Sequence, residues 1–356
     1  MPEDVMEPLK EVLLSGFIGQ GSKVNEFENA LAEKLGTKNV LTVNSGTSGL
    51  HLALRLAGVG YGDEVITTAL TCTATNWPIL ANGAIPIWAD IDKDTGNIDW
   101  RSIESLITNK TKAIMVVHWG GYPVDLDEIM DIAKKYNLKV IADCAHGFGS
   151  TYKNKPVGTV ADFGIYSFQA IKHMTTVDGG LLVVKDNDDY ERGKLLRWYG
   201  IDRDGKRADF RCESDILEWG YKFHMNDIAA TIGLVQLKYV NKTIEKHREN
   251  AKFYNEKLSD VPGITLLSEK IDRQSSYWIY TLKVENRDSF MTKMLESGIA
   301  TSRVHERNDK HTCVAVYQKE LPILDEFVKK MICIPVGWWV TEEDRNYIVD
   351  IIKRGW

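Results

Sequence analysis

The feature that most constrains this chain is a series of short apolar, β-branched runs that recurs through its first half. EVITT (64–68), IPIWADI (85–91), KAIMVVH (112–118), KVIADCA (139–145), FGIYSF (163–168) and GLLVVK (180–185) are each too short to be helices. Several alternate with helical stretches such as DLDEIMDIAKKY (125–136). Strands that are apolar along their whole length are buried on both faces, and alternation with helices implies a mainly parallel sheet with helices covering it. The fold class predicted is α/β. Upstream, VNEFENALAEKLG places Val24, Phe27, Leu31 and Leu35 at helical spacing, with Gly36 as a stop.

Beyond about residue 225 the texture changes. NDIAATIGLVQLKYVNKTIEKHRENAKFYNEKL reads as one long helix or two abutting ones. Shorter strands (ITLL, YWIYTLKV), a helix near 288–297 and a last helix opening at TEEDR follow, with Thr341 and Asp344 placed as N-cap and N3 acid. The chain therefore divides into a large domain over 1–245 and a smaller α/β domain over 246–356.

The 356 residues carry a net charge of −6, which gives no basic face for nucleic acid. No apolar run approaches the ~18 residues of a membrane helix. The acidic N-terminus does not read as a signal peptide. The five cysteines, Cys72, Cys144, Cys212, Cys313 and Cys333, are odd in number and lack CxxC spacing. They read as reduced thiols of a cytoplasmic protein, with no metal site. The charged stretch 202–214 reads as an exposed loop, and the pair Trp338–Trp339 as core in preference to pocket wall.

Three local patterns carry chemistry. NSGTSG (44–49) follows a strand and opens a helix, where backbone amides and the helix dipole receive phosphate. Taken alone it is only a well-capped turn. VIADCAH (140–146) ends an apolar run on Asp143, and a half-buried carboxylate there needs a cationic partner or a capping role. SFQAIKHMTTVDGG (167–180) holds Lys172 beside His173. A lysine after a strand is by default a solvated charge; it becomes a reagent only where its pKa is lowered. Cradle, aspartate and lysine together match one cofactor, pyridoxal 5′-phosphate: the cradle for its phosphate, Asp143 for its ring nitrogen, Lys172 for its aldehyde.

At these residues the chain resembles the DegT/DnrJ-type sugar aminotransferases of fold type I. NSGTSGLHLAL is similar to that family's SGTxALHLAL segment, ADCAHGFGS to EDAAHA(x)GA, VVHWGGYPVDLDEI to VHxxGxPxDM, SFQAIKHMTTVDGG to SFxxxKxxTTGEGG, and GYKFHMNDIAATIGLVQL to GYNYRMTxxQAAIGLxQL. The resemblance implies that Lys172 bonds the cofactor and Asp143 pairs with its ring nitrogen. It puts His146 near the ring's phenolic oxygen, Gly46, Thr47, Ser48 and Ser167 about the phosphate, and Gln169 at the phosphate or the substrate. It also implies a homodimer in which a residue of the GYKFH segment, Lys222 or His224, completes the neighbour's site.

Cys72 stands where the family has an aromatic stacked on the cofactor, so a tryptophan from elsewhere is a candidate substitute. Arg303, His305, Arg307 and His311 fall where relatives line the sugar-nucleotide cleft. In related PLP-dependent sugar 3-dehydratases a histidine replaces the lysine itself. Here Lys172 is kept and His173 is its neighbour, which favours transamination. The activity implied is transfer of an amino group from an amino acid, glutamate, to a keto group of a nucleotide-linked keto-deoxy sugar. A sugar dehydratase or lyase, or a non-catalytic relative binding PLP or a sugar nucleotide, is the rival reading.

Overall fold

The computed structural model describes residues 1–203, 205 and 215–356. In chain order it contains α1 (Met6–Ser15), α2 (Ser22–Leu35), β1 (Val40–Val43), α3 (Gly46–Leu56), β2 (Glu64–Thr68), α4 (Thr73–Ala81), β3 (Ile85–Ala89), β4 (Thr111–Val117), α5 (Leu126–Tyr136) and β5 (Lys139–Asp143). Then come the two-residue strands β6 (Thr151–Tyr152) and β7 (Lys155–Pro156), β8 (Phe163–Ser167), β9 (Gly180–Val184), α6 (Asn187–Leu196), α7 (Asp227–Leu237) and α8 (Val240–Leu258). β10 (Ile264–Leu266), β11 (Arg273–Gln274), β12 (Tyr280–Val284), α9 (Arg287–Glu296), α10 (Pro322–Lys330), β13 (Met331–Ile334) and α11 (Glu342–Lys353) complete it.

The runs singled out in the sequence assemble into one seven-stranded sheet of order β1-β9-β8-β5-β4-β2-β3. Strands β3, β2, β4, β5 and β8 pair in parallel, whereas β9 runs antiparallel between β8 and β1. No helix intervenes between β8 and β9, so the chain turns back through the lysine-bearing loop 168–179. Alternate residues feed opposite faces. Val140 and Ala142 face a core with Val24, Phe27 and Leu31 of α2, while Ile141 faces another with Leu50 and Leu54 of α3.

A second, three-stranded sheet, β10-β12-β13, is covered by α8, α9 and α11. Helix α11 opens with the full capping box, Thr341 and Asp344 bonding each other's backbone. The long helical segment resolves into the abutting pair α7 and α8. Residue 245, where the sequence divides the domains, falls inside α8. Ile244 packs in the large-sheet core, and Ala251, Tyr254 and Leu258 pack in the small one, so α8 belongs to both.

Trp338 and Trp339 correct the expectation of core burial: they are 60% and 61% exposed. The buried Asn250 of α8 donates through Nδ2 to the carbonyls of Val336, Gly337 and Val340 at 3.1, 3.1 and 3.4 Å. Tyr254 Oη–H bonds the Pro335 carbonyl at 2.8 Å. This pins the backbone of the loop and takes Val340, not the indoles, into the interior. Cys72, Cys144, Cys313 and Cys333 are free thiols. Cys212 and most of the 202–214 stretch lie outside the described residues. Among the described residues no helix is long and apolar enough to cross a membrane.

Candidate active site

β1, β2, β4, β5 and β8 all end at one edge of the large sheet, the edge where open α/β sheets receive ligands. A cavity of about 310 Å³ lies there. Gly46, Thr47, Cys72, Asp143, His146, Ser167, Gln169, Lys172 and His305 of the sequence-predicted residues line it, joined by Thr75 and Trp278.

The cradle is built by close backbone approach. Ser45 caps α3, its Oγ accepting from the Ser48 amide at 3.0 Å, which leaves the first-turn amides of Gly46 and Thr47 without helical acceptors. A Cβ on Gly180 would lie 2.7 Å from the Gly46 nitrogen, and one on Gly46 would lie 3.0 Å from Ser167 Cβ. Only glycine fits at this crossing of β9 and α3. Ser48 itself is turned aside, its hydroxyl donating to Asn44 Oδ1 at 2.6 Å.

Asp143 ends β5 and is buried. Its Oδ2 accepts from Thr75 Oγ1–H at 2.7 Å and its Oδ1 from the Ala145 amide at 2.9 Å. Burial raises its pKa; the Thr75 and Ala145 bonds and the Lys172 charge oppose that rise. A carboxylate so fixed and so dehydrated is matched to a cationic N–H. Lys172 is pulled down to about 8 by burial, against the charges of Asp143 and Cys72. Its Nζ lies 3.6 Å from the centroid of the Trp278 ring. His173 is not its rival: its Nε2 bonds the Ser276 carbonyl at 3.1 Å, and it lies away from this cavity.

Two imidazoles complete the wall. His146 stacks on Trp278, centroids 3.9 Å apart at 22°, and its buried Nδ1 has no partner. His305 lies parallel to it at 6.0 Å, with Nε2 buried and unpartnered. Burial drives His146 well below the ordinary histidine range and His305 to about 4, and the Lys172 charge adds to both shifts. Both rings are neutral at pH 7.

The backbone cradle, the cation-seeking Asp143, the Lys172 amine with its lowered pKa and the His146 nitrogen, unpaired among the described residues, fit pyridoxal phosphate: a phosphate, a ring nitrogen, an aldehyde and a phenolic oxygen each meet a suitable group.

Other expected residues lie elsewhere. Arg307 is a correction, since its guanidinium is buried and bound to Asp309 at 2.7 Å through two bonds and to Asp325, which commits it to these carboxylates inside the fold. Arg303 pairs with Glu306 at 3.2 Å, and His311 sits edge-on to Trp77. Lys222 and His224 do not line their own chain's cavity. Thr75 and Trp278 were missed. Thr75 sits in the TCTAT turn already singled out for Cys72, whereas Trp278 comes from the small domain with no local signal.

Residues 1–353 match the DegT/DnrJ/EryC1/StrS aminotransferase family. The sugar aminotransferase CalS13 from Micromonospora echinospora superposes with a TM-score of 0.96 at 44% identity, over 100% of this chain and 98% of that one. The PLP form of Spr1654 from Streptococcus pneumoniae gives 0.90 at 29% identity, over 99% and 96%. The UDP-4-amino-4-deoxy-L-arabinose–oxoglutarate aminotransferase of Shewanella sediminis is 34% identical over 83% of this chain and 79% of its own length. The chain belongs to the DegT/DnrJ/EryC1/StrS aminotransferase family and is a pyridoxal-phosphate-dependent aminotransferase.

Proposed function

We propose that the protein moves an amino group from glutamate to a keto carbon of a nucleotide-linked deoxy sugar, as a step of amino-sugar biosynthesis. The observation that carries this is the lowered Lys172 amine in the same cavity as the buried Asp143. The sugar aminotransferases it resembles, one of them acting with UDP-4-amino-4-deoxy-L-arabinose and oxoglutarate, support the substrate and donor classes.

Bound here, pyridoxal phosphate supplies an electron sink for the carbon that loses its proton. The chain supplies the rest. Gly46, Thr47, Ser167 and Gln169 would hold the cofactor's phosphate, and Asp143, fixed by Thr75, would keep a proton on its ring nitrogen. His146 would meet its phenolic oxygen through Nδ1. Lys172, neutral in a good fraction of molecules near pH 8, would be the base that takes the proton from the donor's α-carbon. Retention of lysine at this position speaks against the dehydratase reading.

The working unit in this reading is a cytoplasmic homodimer, with Lys222 reaching the neighbour's phosphate. The half-buried His224 has its ring 3.4 Å from that of Trp198, whereas the Lys222 side chain is exposed; the backbones of both are bridged, His224 to Val43 and Lys222 to Trp198. The test is an absorbance scan of protein reconstituted with pyridoxal phosphate, before and after glutamate, beside Lys172→Ala. Wild type should show the visible band of lysine-bound cofactor and lose it on adding glutamate, and the variant should never form it. A band indifferent to glutamate and to other amino acids would sink the aminotransfer from glutamate.

A further inference from the structure

His173, the neighbour of Lys172, does not line the cofactor cavity, yet it is buried and its Nε2–H donates to the Ser276 carbonyl at 3.1 Å. The next carbonyl, of Tyr277, accepts from His247 Nδ1–H of α8 at 2.7 Å. The preceding one, of Ser275, accepts from Arg248 Nε–H at 2.8 Å. Three consecutive carbonyls between β11 and β12 are thus each held by a basic side chain. Ser276 is locked further: its amide donates to Ser150 Oγ at 3.0 Å and its hydroxyl to the His146 carbonyl at 2.8 Å. Inside this strapping Tyr277 has a φ of 49°, a left-handed conformation that an aromatic residue seldom adopts.

One residue past that turn, Trp278 lies on the lysine loop. Its Nε1–H donates to the Ile171 carbonyl at 3.0 Å, its ring covers Lys172 Nζ, and its face stacks on His146. Ile171, Lys172 and His173 therefore engage the 276–278 segment in turn, by a carbonyl, an amine and a ring. The two clamping imidazoles also pack on each other, centroids 4.6 Å apart. A carbonyl only accepts, so His173 carries its proton on Nε2 and His247 on Nδ1. Burial lowers both pKa values, His247 to about 4, which keeps the rings neutral at pH 7. Lys172 and Arg248 are the cations acting on His173. The titratable groups facing Lys172 are Asp143, Cys72, His146, His173 and His305.

We propose that His173 and His247 are positioning residues of the aminotransfer site: by holding the Ser276 and Tyr277 carbonyls they keep the Trp278 ring on the Lys172 amine. What they grip is the turn that aims Trp278, which sets them apart from histidines that merely fill a core. Arg248 also holds the Gly149 carbonyl at 2.8 Å, so its grip is shared with the fold at large. A neutral imidazole donates without setting a second cation beside the amine, as a lysine or arginine in its place would. The inference holds for any acceptor, since it concerns only the lysine and the ring above it, and it stands apart from the nucleotide-sugar reading.

The test is competitive acetylation of the full chain before loading with pyridoxal phosphate, read at Lys172 by peptide mass spectrometry across pH. Wild type should titrate at about 8. His173→Phe and His247→Phe keep bulk and lose the donor. Each should leave roughly three- to tenfold less neutral Lys172 at pH 7, a midpoint raised by about 0.5 to 1. His173→Gln, whose amide nitrogen reaches as far as Nε2, and His247→Asn, which matches Nδ1, should restore the wild-type midpoint. In a Trp278→Ala background neither phenylalanine change should move the midpoint further, because the ring through which they act is gone. Should the phenylalanine variants fail to fold, His173→Asn, polar but too short for Ser276, carries the same expectation. A lowered thermal midpoint with the Lys172 titration unmoved would make the histidines structural and overturn the proposal. Equal shifts with and without Trp278 would overturn it as well.

Discussion

The Nζ of Lys172 rests over the ring of Trp278, 3.6 Å from its centroid, although the two residues belong to different halves of the chain. The two segments thereby meet at the reactive amine, whose burial lowers its pKa. Because the folded pKa is lowered to about 8 from the ordinary 10.5, the neutral amine grows in as pH rises through about 8. Uptake of pyridoxal phosphate by apo-protein, followed by stopped-flow absorbance, should accelerate across that range and level off above it. Trp278→Ala should move the midpoint upward, toward the ordinary lysine value; an unmoved midpoint would separate the indole from the amine's titration.

Thr75 holds the buried Asp143 by a single short bond. Thr75→Val should weaken cofactor binding by about 1–2 kcal/mol, roughly tenfold, since the carboxylate loses a donor that favours its ionised form. Thr75→Ser should bind nearly as wild type. Absorbance titration of apo-protein with pyridoxal phosphate measures both, and equal affinity of Val and wild type would refute the role.

Arg307 has a structural task. Arg307→Ala should cost about 3 kcal/mol of stability by leaving the fully buried Asp309 unpaired. Denaturant unfolding would show it, while the affinity of the surviving folded fraction for nucleotide-linked sugar should stay put. A large loss of that affinity with unchanged stability would return Arg307 to the substrate.

If Lys222 serves the neighbour, Lys222→Ala should lower cofactor affinity whereas His224→Phe should alter mainly stability. Mixing Lys222→Ala with Lys172→Ala subunits gives mixed dimers in which a site retaining its own lysine borrows Lys222 from the other chain. Recovered glutamate-driven band loss on mixing is expected; no recovery would argue that each chain completes its own site.

Much of this was legible locally. Strands buried on both faces announce themselves as unbroken apolar runs, and the cradle, Asp143 and Lys172 each sit within a short motif that ends or follows such a run. What escaped depends on how the small domain is laid over the strand ends. No pattern near Trp278 signals that it reaches the Lys172 cavity, His305 was named only through its loop's resemblance to the relatives' sugar-nucleotide cleft, and Arg307 reads as a free cation until Asp309 and, from α10, Asp325 close on it. Trp338 and Trp339 were misjudged because apolarity predicts burial by default. The decision lay instead with Asn250, which holds the loop by its carbonyls and turns the indoles outward.

Helix α8 carries a further consequence. One continuous rod is embedded at its start in the core of the large sheet and toward its end in that of the small one. Such a shaft transmits torque instead of absorbing it, so the two bodies cannot hinge freely where they join. Any closing over a substrate must come from rolling about this axle or from flexing of the segments that cross back between the bodies. Amide exchange along α8 should accordingly be slow from end to end, with the protection of each half reporting the stability of the core that grips it.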